Sequence, residues 1–325
     1  MAERIRLGLI GCGGIAQSHL KAIAQLPEFE LVAVCDVDIT RAQVAAREYG
    51  VPQAFDDCHD TLKAGVDAVD ICLPHHLHRM AATAAAEAGV HVLCEKPMAT
   101  SLEDADAMIA AAEAAGTVLM IGQVLRFRPA NLKARELIAS GAIGEVKQVI
   151  RRRYSICTEY PRAPWSADPK KAGGWTLYGF GSHEADTILF LTGSEATEVY
   201  ARGEMNNPHW RDFDEISILF GLSNGGFATQ LHTLNCPWGV WDCIITGTGG
   251  ALNIATEAVM LNEERFDLPL PEGGGMKEQI AEFGAAIREG HEPEASGKNV
   301  RRTMALLEAA KISMRTGKVV VAGEL

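Results

Sequence analysis

The chain has no run of about 18 consecutive apolar residues, so no segment has the length to cross a bilayer as a helix. Its 8 cysteines form no C-x-x-C pair, and several stand inside apolar, strand-like runs such as Val34-Cys35-Asp36 and Ile71-Cys72-Leu73. Buried free thiols in a reducing compartment are the expectation, rather than a disulfide framework or a thiolate metal site. Positive charge is scarce: 30 Lys and Arg stand against 42 Asp and Glu, a formal net charge of −12, and the one basic run is Arg151-Arg152-Arg153. Nucleic acid and anionic membranes both need a cationic footprint, so neither is an expected partner. No repeat or low-complexity tract suggests a solenoid or a linker. Met1-Ala2-Glu3-Arg4 runs straight into Ile5–Ile10 and a glycine cluster, too short and glycine-rich for a signal peptide, and a cytoplasmic location is expected.

What is present is ordinary globular material, 325 residues and 47% hydrophobic, enough for two cores. From residue 5 to about 122, short apolar runs alternate with alanine-rich amphipathic segments, which predicts a parallel sheet. Strands are expected near 5–10, 30–35, 67–73, 90–95 and 117–122, with helices over 14–25, 40–49, 77–88 and 101–115. Thr40 and Ser101 are the expected N-caps, Ser101 with Asp104 resembling a capping box. Beyond 123 come a helix near 129–140, a long strand near 145–154, a helix near 180–192, and strand-like runs near 196–203, 213–221, 226–234, 241–248 and 251–262. The fold class is therefore α/β: an N-terminal Rossmann parallel sheet over 1–123, then a C-terminal α+β domain over 124–325 with a large, mostly antiparallel open sheet. The last helices, about 276–289 and 299–316, are compatible with packing on either domain.

After the first strand stands Gly11-Cys12-Gly13-Gly14-Ile15-Ala16, a G-x-G-x-x-A turn opening a helix. Gly11 permits the tight turn, Gly13 lets backbone approach a pyrophosphate, and Ala16 permits close helix packing. Asp36 follows the next strand at the distance where the ribose-binding acid belongs. It would accept bonds from the ribose hydroxyls and repel a 2′-phosphate, so NAD is the expected cofactor, with NADP left open by Arg41.

Two more segments carry chemistry: Leu73-Pro74-His75-His76-Leu77-His78 and Cys94-Glu95-Lys96-Pro97, each at the carboxyl end of a strand, where open α/β sheets bind ligands. Three histidines on one turn suit tetrahedral metal geometry poorly, and no metal is expected. Tyr154 and Trp165 are candidates to wall a sugar-sized pocket. With the glycine turn, His78, the Glu-Lys-Pro triplet, Gly122 to Arg126-Phe127, and Gly181-Ser182-His183-Glu184-Ala185-Asp186 in hand, the whole chain resembles the glucose-fructose oxidoreductase and inositol dehydrogenase (Gfo/Idh/MocA) family.

That resemblance implies an NAD(P)-dependent dehydrogenase acting on a secondary hydroxyl of a sugar, cyclitol or related polyol. It implies a homodimer or homotetramer formed through the open sheet. Lys96 would bond the reacting hydroxyl, aimed by a cis bond to Pro97, and His183 would serve as general base. A lysine partly desolvated beside a cationic nicotinamide should have a lowered pKa, which suits proton transfer near neutrality. The implied cofactor contacts are Gly11, Gly13, Gly14, Ile15, Ala16, Asp36, Val37, Arg41, Leu73, Pro74, His75, His78, Glu95, Lys96, Pro97 and Gln123. The implied substrate contacts are Lys96, Arg126, His183 and Asp186, beside Tyr154 and Trp165. One departure stands out. Many members carry an aspartate where this chain has Gly179, leaving Tyr178, Glu184 or a substrate group to take its place. Two other readings stay open: NAD-recycling elimination, epimerisation or glycoside cleavage, and a non-catalytic NAD-binding sensor.

Overall fold

The computed structural model describes residues 3–157 and 163–325. Its chain forms two compact units: one made of 1–99, 103–124 and 272–300, the other of 100–102, 125–271 and 301–325.

The first unit holds β1 (Ile5–Ile10), α1 (Ala16–Ile23), β2 (Phe29–Cys35), α2 (Ile39–Tyr49), β3 (Gln53–Phe55), α3 (Cys58–Lys63), β4 (Ala68–Ile71), α4 (His78–Glu87), β5 (His91–Glu95), α5 (Leu102–Ala115) and β6 (Leu119–Gly122). The six strands pair in parallel in the order β3-β2-β1-β4-β5-β6. Helices cover both faces of such a sheet, which is why β1, β4, β5 and β6 read as nearly unbroken apolar runs and not as alternation. Strand order reverses at β1 and β4, which opens the crevice where ligands of this fold bind. The sequence reading omits β3 and α3, elements of 3 and 6 residues, too short to show a period. It also misplaces one cap. Asp38, not Thr40, begins α2, because its side chain accepts the Thr40 N–H; Gly50 at φ 68° ends it.

The second unit contains α6 (Pro129–Ala139), β7 (Val146–Ile156), α7 (Pro169–Ala172), α8 (Gly181–Thr192), β8 (Ala196–Glu204), β9 (Glu215–Leu222), β10 (Phe227–Thr233), β11 (Asn235–Gly247), β12 (Ala251–Ile254), β13 (Ala258–Leu261) and β14 (Glu264–Asp267). The chain then forms α9 (Met276–Glu289), which belongs to the first unit and packs on α1 and β5. The last elements are α10 (Gly297–Thr316) and β15 (Val320–Val321). The nine strands run β14-β13-β12-β11-β7-β10-β9-β8-β15, and only the β7–β10 pair is parallel. The single strand expected over 251–262 is two strands with a turn, because the chain reverses at Ala255–Glu257 and pairs Ile254 with Val259. One face of this sheet packs on α6 and α8. α8 is buried on nearly every side, Ile188, Leu189 and Phe190 included, so helical periodicity is weak there and packing holds it.

Candidate active site

Gly11 sits at φ +96°, and a Cβ there would lie 2.5 Å from the Cys72 carbonyl oxygen, so the turn requires glycine at this position. Beside Gly13 and Gly14 no atom lies within 4 Å of an added Cβ: the turn borders open space. α1 begins next to Ile15 with no side-chain cap and no acid in its first turn, which suits its N–H groups to a phosphate. Asp36 is 8% exposed and shares its carboxylate between the backbone N–H groups of Cys12 and Asp38, both at 2.9 Å. Each oxygen keeps a lone pair for a ribose hydroxyl. Val37 is exposed, and Arg41 is paired at the surface with Asp38 at 3.4 Å.

Around the ends of β4 and β5 the backbone is tied together by one imidazole. His78, fully buried, faces the Pro97 carbonyl through Nδ1 at 2.8 Å and the Leu73 carbonyl through Nε2 at 2.9 Å. Burial depresses its pKa. Pro74 precedes the short turn, and the buried His75 ring tilts against His78 at 5.9 Å. Lys96 is half-buried, the Lys96–Pro97 bond is cis, and the Lys96 N–H donates to Glu95 Oε2 at 3.1 Å. Gln123 is 1% exposed, and neither its amide oxygen nor its amide nitrogen has a hydrogen-bond partner among the described residues. A buried amide without partners costs free energy unless a ligand supplies them. Open glycines, an uncapped helix start and this amide together fit a dinucleotide.

In the second unit His183 is half-buried in the first turn of α8, its carbonyl accepting the Thr187 hydroxyl at 2.7 Å. Three of the expected substrate contacts lie as follows. Arg126 and Asp186, each 1% exposed, form a two-pronged pair, Nε–Oδ2 at 2.8 Å and Nη2–Oδ1 at 2.6 Å, with the Thr303 hydroxyl on Oδ1 at 3.0 Å. They hold α8 in the core of the second unit. Tyr154 shares the outward β7 face with Arg152, which pairs with Asp242, whereas Arg151 and Arg153 point the opposite way, onto Glu184 of α8. Strand alternation thus turns Tyr154 away from the face that carries α8. Trp165 packs edge-on against Trp175 at 5.7 Å, and Trp175 in turn stacks on Trp210 at 6.1 Å.

Gly179 lies in a π-helical turn, Trp175–Phe180, leading into α8. A Cβ at 179 would meet Trp175 ring carbons at 3.0 Å: the indole occupies the room a side chain would need. Neither proposed substitute for the acid is available. Tyr178 donates its hydroxyl to Glu308 at 2.7 Å, and Glu184 is engaged by Arg151, Arg153 and, at 3.4 Å, the Trp241 ring N–H. Burial pushes Glu184 up, but the two guanidinium groups outweigh it and hold the carboxylate below its usual range. His232, deep in the same cluster, falls to about 4 through burial, with Arg153 and Arg151 adding to it.

Sequence reasoning missed this arginine cluster, whose pattern on paper is only a basic run on a strand. It also missed His19 of α1, which lies between Asp70 and Glu95; a charged residue inside the apolar run of β4 was the available signal.

A six-stranded parallel sheet with a glycine turn, a buried acid just after β2 and a strand-end lysine, together with a large mixed sheet in the second unit, has the layout of an NAD-binding oxidoreductase. Residues 5–123 match the oxidoreductase family with an NAD-binding Rossmann fold, and 131–253 match the GFO/IDH/MocA C-terminal domain. The chain belongs to the Gfo/Idh/MocA family. It is 30% identical to 1,5-anhydro-D-fructose reductase of Ensifer adhaerens, covering 90% of this chain and 91% of that one. It is 26% identical to myo-inositol 2-dehydrogenase of Thermotoga maritima, covering 95% and 96%. An oxidoreductase from Agrobacterium radiobacter, solved with NAD+, L-tartaric acid and magnesium, shares the fold at a TM-score of 0.90 and 24% identity over 99% of each chain. No helix among the described residues is long and apolar enough to cross a membrane.

Proposed function

We propose that the chain moves a hydride between NAD and a secondary hydroxyl of a sugar, cyclitol or related polyol. The observation that carries this reading is the strand-end Lys96, half-buried and anchored through its own N–H to Glu95, in the same unit as the unpartnered Gln123 amide. NAD, when bound, accepts or returns the hydride. The Lys96 side chain bonds the reacting hydroxyl oxygen and takes its proton as the carbon–hydrogen bond breaks, and His183 is the second proton carrier. Asp36 selects the unphosphorylated ribose, with Arg41 already paired to Asp38. Relatives named for an anhydro-sugar and an inositol support a polyhydroxylated substrate. Steady-state assays over a polyol and sugar panel test it. At least one substrate should reduce NAD, and Lys96→Ala should lower kcat by roughly 10²- to 10⁴-fold; equal turnover by both proteins on every substrate would end the assignment.

A second reading is favoured by the indole filling the space beside Gly179. With no acid at that point, transient oxidation by retained NAD would open elimination or epimerisation without net NADH. Product formed without stoichiometric NADH selects this reading; stoichiometric release removes it.

Self-association through the sheet face opposite α8 is part of the same proposal. Tyr200 and Leu219 are exposed there, and Ile150, Leu231 and Ile244 are half-buried, an apolar row that a second copy would cover. Light scattering should find a dimer or tetramer at micromolar concentration, and a monomer alone would refute it.

A further inference from the structure

Deep in the first unit three ionisable side chains, contributed by α1, β4 and β5, form one chain. His19 is completely buried, with Nδ1 2.7 Å from Asp70 Oδ2 and Nε2 3.1 Å from Glu95 Oε1. Asp70 is 1% exposed and Glu95 5%. An imidazole with a carboxylate on each nitrogen satisfies both only as the imidazolium, since the neutral ring has a single N–H. Burial works against that charge, yet Asp70 outweighs it, and the His19 pKa stands well above its ordinary value.

The far end of the chain is Glu95, whose two oxygens are divided. Oε1 takes His19, while Oε2 takes the peptide N–H of Lys96 at 3.1 Å. The carboxylate sits in a place built for it: a Cβ on Gly122 would fall 2.7 Å from Oε1, so a side chain at 122 would push it aside. Burial pushes the Glu95 pKa up, but His19, with Lys96 and His78 behind it, brings it below the usual carboxylate range. Glu95 is therefore ionised next to the residue that handles the proton.

We infer that His19 is a positioning residue for Lys96: clamped by Asp70, it fixes the Glu95 carboxylate, which holds the Lys96 backbone and places one negative charge beside its ammonium. This rests on the proposed role of Lys96. It also gives α1, the helix that opens at the pyrophosphate turn, a direct bonded path to the lysine at the end of β5. A metal reading of the same corner does not fit. One ligand atom each from His19, Asp70 and Cys72 fall within 4.8 Å of one another, but both His19 nitrogens already face carboxylates, and the Cys72 thiol, pushed up to about 12 by burial and by Asp70, keeps its proton.

The test reads Lys96 itself in the full-length protein, without needing the substrate. Competitive acetylation with acetic anhydride across pH, followed by mass spectrometry of the peptide bearing Lys96, gives the titration midpoint of its amine. Hydrogen exchange gives the protection of its amide, and calorimetry gives NAD affinity. The groups facing this site are Asp70 of β4 and Cys72 just after it, Cys94 and Lys96 beside Glu95, and His78 of α4. Glu95→Gln keeps the shape and removes the charge, so the Lys96 midpoint should fall by about one pH unit. His19→Gln should speed exchange of the Lys96 amide about tenfold while amides of β1 and β6 exchange as in wild type. NAD affinity should stay within about threefold in His19→Gln.

Unchanged Lys96 midpoint and amide exchange in both variants would overturn the inference. So would a uniform acceleration through β1 and β6, since His19 would then hold the fold and not the lysine. Should His19→Gln fail to fold, Asp70→Asn, which leaves the imidazole one carboxylate, should show the same local acceleration at smaller amplitude, and its absence overturns the inference equally. If Lys96 responds as expected while wild-type protein oxidises no polyol, the functional proposal falls while the coupling of His19 and Glu95 to Lys96 stands.

Discussion

In the first unit a fully buried histidine, His19, lies between two carboxylates and carries a proton; in the second, His232, 3% exposed, lies among Arg151, Arg153 and Glu184 and does not. Burial acts in the same direction on both, against the charged ring. What differs is the net effect of the neighbours: carboxylates face both nitrogens of His19 and overcome burial, whereas beside His232 the pull of Glu184 is offset by Arg153 and Arg151, so burial prevails. The two units have thus adopted opposite solutions to buried charge: an anionic chain locked by one cation, and a cationic cluster locked by one anion.

Removing a locking partner is the severest way to break this picture. Asp186→Ala leaves the Arg126 guanidinium, 1% exposed, without its carboxylate, and should cost about 3–5 kcal/mol by denaturant melts. A loss below 1 kcal/mol would mean that Arg126 finds water or another partner at once. The pH dependence sharpens the contrast. His232 titrates near 4 when folded and at its ordinary 6.5 when unfolded, so the unfolded chain takes up the proton first as pH falls. Stability should be full above pH 6.5 and drop by about 3 kcal/mol between 6.5 and 4 from this group. His232→Gln should flatten that segment, and an unchanged slope would count against a neutral His232. His19 has the opposite sign: its folded pKa is raised, so its share is complete below 6.5 and is lost as pH climbs toward the folded midpoint.

Smaller effects probe the sites themselves. Asp36→Ala should weaken NAD by roughly 10- to 100-fold in calorimetry, the usual worth of hydrogen bonds to a charged group, and should narrow the preference over NADP. Undiminished NAD binding would remove Asp36 from the ribose. Gly179→Ala sets a methyl 3.0 Å from the Trp175 ring, and should cost about 1–3 kcal/mol by overpacking. Gly179→Ala combined with Trp175→Leu should recover part of that loss, and no recovery would mean that the indole is not what excludes a side chain there.

The nucleotide half was legible because its signals are local. The glycine turn, the strand before it, the helix after it and Asp36 all fall within one stretch of chain, and each has a physical reason to stand at its spacing. His19 could not be read this way. Its partners lie 51 and 76 residues further along, and no period links them. The pairing of Arg126 with Asp186, 60 residues apart, is equally hidden, because an exposed ion and a buried pair look alike in a sequence. The facing of Tyr154 is hidden for a different reason: strand alternation gives two faces but does not say which of them α8 covers. The filling of the Gly179 site by Trp175 is a packing fact, four residues away in sequence yet set by a π-helical turn that composition does not announce.

The placing of β7 carries a kinetic consequence. It lies between β10 and β11, which are consecutive along the chain, and Leu234 passes over its end, where its carbonyl accepts the Cys157 N–H at 2.8 Å. The sheet therefore cannot grow from its middle by adding hairpin to hairpin. Its central strand must wait for partners made after α7, α8, β8 and β9, and closing so large a loop before any contact repays it makes for slow assembly. The first unit takes from late in the chain the covering helix α9 and a bridge from Ala295 and Ser296 to β6, so it faces that delay at its edge; the second faces it at its centre, and nascent chains would expose the unpaired edges of β7 for longest.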